Sequence, residues 1–354
     1  MSKSDRKKHI NIPIFIPHLG CPNNCVFCNQ RSISGHIDFD ESSVSKEIEE
    51  VLFAVEKSGK ATDIEIAFFG GSFTGIDRSL MLRLLERAYS YVKDGRVSSI
   101  RLSTRPDYID DEVLDILKKY GVRTIELGLQ SMSEKVLLST KRGHSTEQAE
   151  TACRLIKKHA FELIGQMMIG LPSASEEDEI MTAKRICELG ADGARVYPTV
   201  VFYNTELCEM AKSGLYTPIG EDESVIRTKN VLAVFDAFGV PCIRVGLCAS
   251  ENLSSDSEVY GGANHSAIGE LAMGELFYDK ICLALESIAD DGEKNLYVYV
   301  PKGAVSKAIG QKRRNINRIK DKYFVKKHIK NIKILENEEI IGYNIKIEFD
   351  VIGG

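Results

Sequence analysis

Short apolar runs alternate with longer stretches of helical periodicity over residues 12–199. The runs rich in β-branched and aromatic residues lie at residues 12–16, 64–69, 98–103, 124–129, 162–169 and 194–199. The helical stretches lie at residues 41–58, 78–93, 110–120, 145–159 and 175–189. Continuous apolar strands are typical of a parallel sheet that is buried on both faces. The alternation predicts an α/β fold of partial (β/α)6-barrel type, and an open doubly wound sheet is the competing hypothesis.

The pattern changes towards the end of the chain. A helical stretch at residues 224–238 and an apolar stretch at 239–246 are followed by a Ser-, Asp- and Gly-rich segment at 249–264, which predicts a loop. Residues 296–300 and 343–351 have the pattern of strands, with two short amphipathic helices expected between them. We therefore predict a large domain over residues 1–290 and a small α+β domain over residues 291–354.

Composition places the chain among globular proteins, and its charge is unevenly distributed. Of the 354 residues, 43% are hydrophobic and 27% are charged. There is no apolar run long enough for a membrane span and no signal-peptide pattern at the N-terminus, so we expect a cytoplasmic protein without a membrane partner. The net charge of −5 combines −12 over residues 1–301, +11 over residues 302–333 and −4 over residues 334–354. This basic segment predicts an anionic polymer as partner.

Three cysteines follow the first predicted strand with the spacing C-x3-C-x2-C. Cys21, Cys25 and Cys28 are able to bind three irons of a 4Fe–4S cluster and leave the fourth iron without a protein ligand. A structural zinc site with His18 as the fourth ligand is the alternative. Crowded cysteines in a chain that is not exported favour a metal site over disulfides.

Together with the strand-end motifs, these cysteines resemble the radical S-adenosylmethionine (SAM) superfamily over roughly residues 11–285. Gly70 and Gly71 follow the second strand, Gln130 ends the fourth, and Arg142 lies twelve residues later. The resemblance implies that the glycine pair binds the SAM amino group through backbone carbonyls. It implies that Gln130 contacts the ribose and that Arg142 pairs with the carboxylate, a geometry that suits a guanidinium. The implied cofactors are a 4Fe–4S cluster and SAM.

Three further residues complete the predicted active site. Phe27 matches the aromatic residue that the superfamily places beside the third cysteine, and Gln166 stands where a polar ribose ligand is expected. We expect His265, in a late Gly-rich stretch, to act as general acid or base together with the three cluster cysteines, the alternative being a structural histidine. Cys242 and Cys248 are either inert or additional catalytic cysteines.

Two motifs point to particular branches of this superfamily. The segment Glu126–Gln130 followed by Arg142-Gly143-His144, and the segment Thr104-Arg105-Pro106-Asp107, resemble the Elongator-type catalytic subunit; the first also resembles oxygen-independent coproporphyrinogen oxidase. The cysteine spacing is narrower here than in the Elongator subunit, and we expect no acetyltransferase domain. Arg105 and Asp107 are expected either to face substrate or SAM or to form a local turn pair.

The basic segment resembles a KH-type RNA-binding module. Its loop comprises Gly310, Gln311, Lys312 and Arg313 and is followed by Arg314. In the G-x-x-G loop of such modules the backbone clamps nucleic acid, and here Arg313 stands at the position of the second glycine. Lysines and arginines on the flanking helices suit phosphate binding.

The sequence therefore predicts a radical SAM enzyme, an RNA-modifying transferase, that acts on tRNA or ribosomal RNA. Flavodoxin or ferredoxin is the expected electron donor. The alternatives are a radical SAM enzyme acting on a small molecule of porphyrin type and a non-catalytic, metal-stabilised RNA-binding protein.

Overall fold

The computed structural model describes residues 8–16, 21, 24–28, 39–59, 62–247, 258–288 and 292–351. Its main sheet is built from seven strands: β1 (Lys8–Ile16), β2 (Thr62–Gly70), β3 (Ser99–Thr104), β4 (Val122–Gln130), β5 (Glu162–Ile169), β6 (Gly193–Pro198) and β8 (Cys242–Val245). They are all parallel and lie in the order β1-β2-β3-β4-β5-β6-β8. A doubly wound sheet reverses its strand order, so this sequential order confirms the barrel-type prediction.

Helices connect the strands on the outside of the sheet. They are α1 (Val44–Ser58), α2 (Arg78–Lys93), α3 (Asp111–Lys119), α4 (Glu134–Ser139), α5 (Thr146–Lys158), α6 (Glu176–Glu188), α7 (Glu206–Lys212) and α8 (Glu221–Ala237). Local side chains fix where helices begin: Asp77 accepts a hydrogen bond from the Leu80 amide, and Ser145 and Gln148 form a capping box. The apolar faces of strands and helices meet in one large core.

Two details of this half-barrel differ from the sequence prediction. The sheet has a seventh strand, which the apolar stretch 239–246 supplies. Part of the predicted loop at 249–264 is a strand, β9 (Val259–Gly262), which pairs antiparallel with β7 (Val200–Phe202). Gly262 has φ +92°, and a Cβ there would lie 2.5 Å from the Thr199 carbonyl oxygen. Only glycine allows this close pairing.

A second, three-stranded sheet ends the chain. The elements of this region are α9 (Ile268–Glu286), β10 (Lys294–Pro301), α10 (Val305–Ile309), α11 (Arg314–Ile319), β11 (Ile329–Asn337) and β12 (Lys346–Val351). In the order β11-β10-β12, the middle strand is parallel to β11 and antiparallel to β12. The core of this region includes Phe277, Ile281 and Leu285 of α9. α9 also packs against α8, so it joins the small sheet to the half-barrel.

No helix in the described part of the chain is both long enough and apolar enough to cross a membrane.

Candidate active site

The cysteine loop lies at the carboxyl ends of the barrel strands and is held by backbone hydrogen bonds on two sides. The Val26 amide donates to the Thr140 carbonyl at 3.1 Å, and the Leu207 amide donates to the Val26 carbonyl at 2.8 Å. Cys25 is buried, whereas Cys21 and Cys28 are half-buried, and no disulfide joins any of the three to another described residue. Phe27 packs against the apolar cluster around Leu207. The loop is thus fixed to its surroundings at Val26, which lies between Cys25 and Cys28.

Arg142 lies directly against this loop. It is 7% exposed. Its Nη1 donates to the Cys25 Sγ at 3.5 Å, and its Nη2 donates to the Gly128 carbonyl at 2.7 Å. The structure therefore brings together two residues that lie far apart in the sequence, a cysteine and an arginine that the sequence analysis placed in one site. A buried guanidinium beside a thiol stabilises negative charge at that sulfur.

The end of β4 has a backbone shape that makes room for this arginine. A Cβ at Gly128 would lie 2.8 Å from the Arg142 Nη2 and 3.1 Å from the Gln130 Nε2. Gln130 itself has φ +66°, in the left-handed region. Gly128 is a site residue that the sequence analysis did not single out. A glycine inside a strand is the signal that marks it, because it indicates close approach of another group.

The glycine pair after β2 lies directly against the neighbouring strand, β1. A Cβ at Gly70, which has φ +111°, would lie 2.5 Å from the Ile16 carbonyl oxygen. The Gly71 amide donates to the same oxygen at 2.9 Å. These contacts join the end of β2 to the end of β1, from which the cysteine loop departs. Gly70 therefore lies in close backbone contact with strand β1, and its role towards SAM stays a prediction.

Positive charge is concentrated around the cysteine loop. Burial raises the pKa of the Cys21 thiol, and the nearby charges of Arg142 and Arg105 oppose that rise. Burial, together with the same two guanidinium groups, lowers the pKa of His144 to about 3. His144 is therefore neutral at physiological pH. The site combines two buried guanidinium groups with the three thiols of one loop, an arrangement suited to an anionic ligand.

Two predicted residues have other partners in the structure. Gln166 donates from its Nε2 to the Glu126 Oε2 at 2.9 Å, and its side chain is half-buried inside the barrel. His265 accepts a hydrogen bond on its Nδ1 from the Ala267 amide at 3.1 Å, next to the start of α9. This bond is a local contact with the residue before α9, and the acid–base role of His265 stays a prediction.

The additional cysteines are also placed by the fold. The half-buried Cys242 donates to the Arg244 carbonyl at 3.3 Å, and burial raises the pKa of its thiol to about 12. Such a thiol is a poor nucleophile at neutral pH. Cys248 lies outside the described residues, as does His18, the fourth ligand of the zinc alternative.

A chain of ion pairs crosses the interior of the half-barrel and was missed by the sequence analysis. Arg101 lies between two carboxylates: its Nη2 is 2.6 Å from the Glu65 Oε2, and its Nη1 is 2.9 Å from the Glu126 Oε1. Arg195 donates to the same Glu126 oxygen at 2.7 Å. Burial alone would raise the pKa of Glu65, but Ser99 and Arg101 reverse this and lower it. Charged residues inside otherwise apolar strands are the signal that reveals this interior.

Comparison with known proteins identifies the fold and the cysteine loop. Residues 15–186 match the family model of the radical SAM superfamily. The chain carries a radical SAM domain. Members of this superfamily bind a 4Fe–4S cluster and SAM, which confirms the predicted cofactor pair.

Relatives of the radical SAM domain include proteins named for tRNA modification. An uncharacterized protein of Methanocaldococcus jannaschii is 29% identical over 64% of this chain and 71% of that protein. The tRNA uridine(34) acetyltransferase of Methanocaldococcus infernus is 29% identical over 48% of this chain, which covers 36% of that enzyme. The archaeal Elp3 structure from Methanocaldococcus infernus has 22% identity, covers 77% of this chain and 68% of that one, and superposes with a TM-score of 0.57. The chain thus spans only about a third of the named acetyltransferase.

The carboxyl ends of the barrel strands form the mouth of the radical SAM domain, and the side chains there have the chemistry needed to bind the cluster. Among the described residues, no three His, Cys, Asp or Glu side chains form a ready-made site for a single metal ion. The fit rests instead on three thiols within one short loop, with a buried guanidinium that donates a hydrogen bond to Cys25. A thiolate-bound cluster is anionic, and the cations Arg142 and Arg105 are placed to balance that charge.

The predicted RNA-binding loop lies in the small C-terminal region that packs on α9. Gln311, Lys312, Arg313 and Arg314 are all exposed between α10 and α11. Lys312 has φ +48° and Arg313 has φ +62°. Arg313 thus adopts the left-handed backbone that a glycine favours at this position of a G-x-x-G loop. Gly310 also has positive φ, and a Cβ there would lie 3.0 Å from the Asn315 Cγ.

Proposed function

We propose that this chain is a radical SAM enzyme that modifies RNA, with tRNA or ribosomal RNA as the substrate class. The radical SAM part is supported by the Arg142 guanidinium at the Cys25 sulfur, at the mouth of a parallel half-barrel. The RNA part is supported by the exposed basic loop between α10 and α11. That loop is the single observation that favours a nucleic acid over a small molecule.

The residues at the mouth divide the work of binding. Cys21, Cys25 and Cys28 would hold the cluster, and Arg142 and Gln130 lie at the adjacent end of β4. When bound, the cluster and SAM supply a carbon-centred radical able to abstract a hydrogen atom. The chain itself positions the ligands, and the fixed cations balance their negative charge before any reaction occurs.

The small C-terminal region would deliver the RNA as a KH-like module. Its loop amides and the side chains of Lys312, Arg313 and Arg314 would contact phosphates. Tyr323 is fully buried, so base stacking by this side chain is excluded and backbone contact dominates. A flavodoxin- or ferredoxin-like protein would supply the electron.

The test is the formation of 5′-deoxyadenosine by the anaerobically reconstituted chain with SAM and dithionite. We expect nucleoside formation that total cellular RNA stimulates and that Cys25→Ser abolishes. Formation without any effect of RNA would favour the small-molecule alternative. No nucleoside, with iron bound and a known radical SAM enzyme active in parallel, would reduce the protein to a metal-stabilised RNA-binding protein.

A further inference from the structure

Arg105 is a buried side chain near the cysteine loop, and its guanidinium makes three hydrogen bonds to two partners. It is 2% exposed. Its Nε and Nη2 donate to the two carboxylate oxygens of Asp107 at 2.9 and 3.1 Å. The same Nη2 donates to the Arg142 carbonyl at 2.6 Å. Its Nη1 is buried and has no hydrogen-bond partner among the described residues.

These contacts join the end of β3 to the segment that holds the cysteine loop. The Arg142 carbonyl receives Arg105, while the Arg142 guanidinium reaches Cys25 and the Gly128 carbonyl. Two residues earlier, the Thr140 carbonyl accepts the hydrogen bond from Val26. Movement at the Arg142 backbone would therefore disturb both connections to the cysteine loop at once.

The end of β3 is itself firmly anchored. The Arg105 amide donates to the Ser72 Oγ at 3.2 Å, and the Ser72 Oγ lies 3.0 Å from the Thr104 Oγ1. Strands β2 and β3 are thereby joined next to Arg105. The Arg105 backbone is thus held by Ser72, just after β2, and its guanidinium is held by Asp107. From this fixed position the guanidinium supports Arg142.

We propose that Asp107 and Arg105 form a positioning clamp that sets the Arg142 segment against the cysteine loop. The clamp depends on the bidentate geometry of an arginine, which a lysine cannot reproduce. Both residues act through Arg142 and are positioning residues. The proposal rests on the proposed function where it concerns SAM, and on the hydrogen bonds of the chain alone where it concerns the loop.

The experiment compares Arg105→Lys with Arg227→Lys. Arg227 is a matched control, because it makes a buried bidentate pair with Glu179, at 2.9 and 2.6 Å, and a further bond to the Ala174 carbonyl at 3.3 Å. Both variants keep the positive charge and lose the two parallel N–H donors that make the bidentate pair. A general loss of stability should affect them alike.

The first measurement is amide hydrogen exchange of the cofactor-free chain, read on the peptide that contains Cys25–Cys28. We expect faster exchange at the Val26 amide in Arg105→Lys and in Asp107→Asn, and exchange as in the wild type in Arg227→Lys. Equal exchange in Arg105→Lys and the wild type would overturn the clamp, and so would the same acceleration in the control.

The second measurement uses the reconstituted chain, with SAM affinity by equilibrium dialysis and the electron paramagnetic resonance signal of the reduced cluster with and without SAM. We expect Arg105→Lys to bind SAM about tenfold more weakly or worse, the usual cost of losing a residue that orients a metal-site ligand. If the wild type responds to SAM and Arg105→Lys responds identically, the clamp is overturned and the proposed function stands. If the wild type shows no response, the proposed function fails, and the role of the clamp towards SAM fails with it.

Discussion

At the scale of single residues, the mouth of the half-barrel depends on the size of one side chain. Gly128 leaves space that the Arg142 Nη2 and the Gln130 Nε2 occupy. Both atoms are the ends of flexible side chains, so an added methyl group would displace them rather than the backbone. The effect of such a change therefore falls on ligand binding more than on folding.

We expect Gly128→Ala to cost about 1 kcal/mol of folding free energy, at the low end for overpacking, because only side-chain ends must move. SAM affinity should fall about tenfold, since the guanidinium can no longer reach the Gly128 carbonyl. Thermal unfolding and equilibrium dialysis measure the two effects. Gly220→Ala is the control, because a Cβ there would meet no atom within 4 Å. Unchanged SAM affinity in Gly128→Ala would contradict the prediction.

The neutral His144 beside this site makes stability depend on pH. Its pKa is about 3 in the folded chain and 6.5 ordinarily, because burial and the charges of Arg142 and Arg105 oppose protonation. The unfolded chain therefore binds the extra proton between these values, and stability falls as the pH drops below 6.5.

From pH 7 to about pH 5.5, His144 should account for a loss of roughly 1 kcal/mol of folding free energy. Urea unfolding at the two pH values measures it. We expect the loss to be smaller by that amount in His144→Gln, which keeps a neutral polar side chain of similar size. Identical losses in the variant and the wild type would show that His144 titrates normally in the folded chain.

At the scale of elements, the sequence predicts most strands and helices of the half-barrel to within about four residues, but it does not predict the short elements α4, α7 and β7. Helix α2 and strand β5 have the predicted bounds, because a cap at Asp77 and a continuous apolar run mark them. Strand β9 was wrongly predicted as loop, since its Gly-rich sequence pairs only through a close approach to Thr199. Long-range pairing of this kind leaves little signal in local composition.

The sequence predicts the residues that would bind the cofactors, but it does not predict the residues that hold them in place. The cysteine spacing and the strand-end motifs place Cys25 and Arg142 in one site, and the structure brings them into contact. The bond from Arg105 to the Arg142 carbonyl depends on two loops meeting in space, and no spacing within either loop encodes it. The same holds for the ion pair between α9 and α11.

That ion pair connects α11, in the proposed RNA-binding module, to α9, which also packs against the half-barrel. Glu275 on α9 accepts two hydrogen bonds from the Arg318 Nη1, at 2.7 and 2.8 Å, and lies 3.9 Å from the Arg314 Nε. The single carboxylate thus offsets part of the positive charge of two guanidinium groups next to the basic loop. RNA phosphate and Glu275 would compete for them.

We expect Glu275→Gln to bind RNA roughly two- to fivefold more tightly. This change in affinity corresponds to the free energy of a partly exposed ion pair. The same change should lower the folding free energy by about 1–3 kcal/mol, because charged hydrogen bonds are lost at a buried position. Fluorescence anisotropy with a labelled RNA and thermal unfolding measure these effects. Glu209→Gln, which removes a pair with Lys212 on α7, is the control for net charge. Weaker RNA binding in Glu275→Gln would indicate that this ion pair shapes the RNA-binding surface.

At the scale of the whole molecule, charge decides which part meets an RNA. Residues 1–301 carry a net −12 and residues 302–333 a net +11, so a polyanion is repelled by the half-barrel and attracted by the small C-terminal region. α9 packs on both, through Phe277 towards the small sheet and through Ala272 towards α8. Binding at the basic loop would therefore hold the RNA at a defined position relative to the mouth.

The salt dependence of RNA binding tests this division. If Lys312 and Arg313 each contact one phosphate of single-stranded RNA, replacing both by alanine should lower the slope of log affinity against log salt concentration by about 1.4. Anisotropy titrations between about 50 and 300 mM KCl give this slope, which reports how many counterions are released on binding. Removing Lys46 and Lys57, which are exposed on α1, changes the net charge equally and should leave the slope as it is. An equal drop in both double variants would mean that RNA binding follows net charge alone, and an unchanged slope in the loop variant would place the phosphate contacts elsewhere on the basic segment.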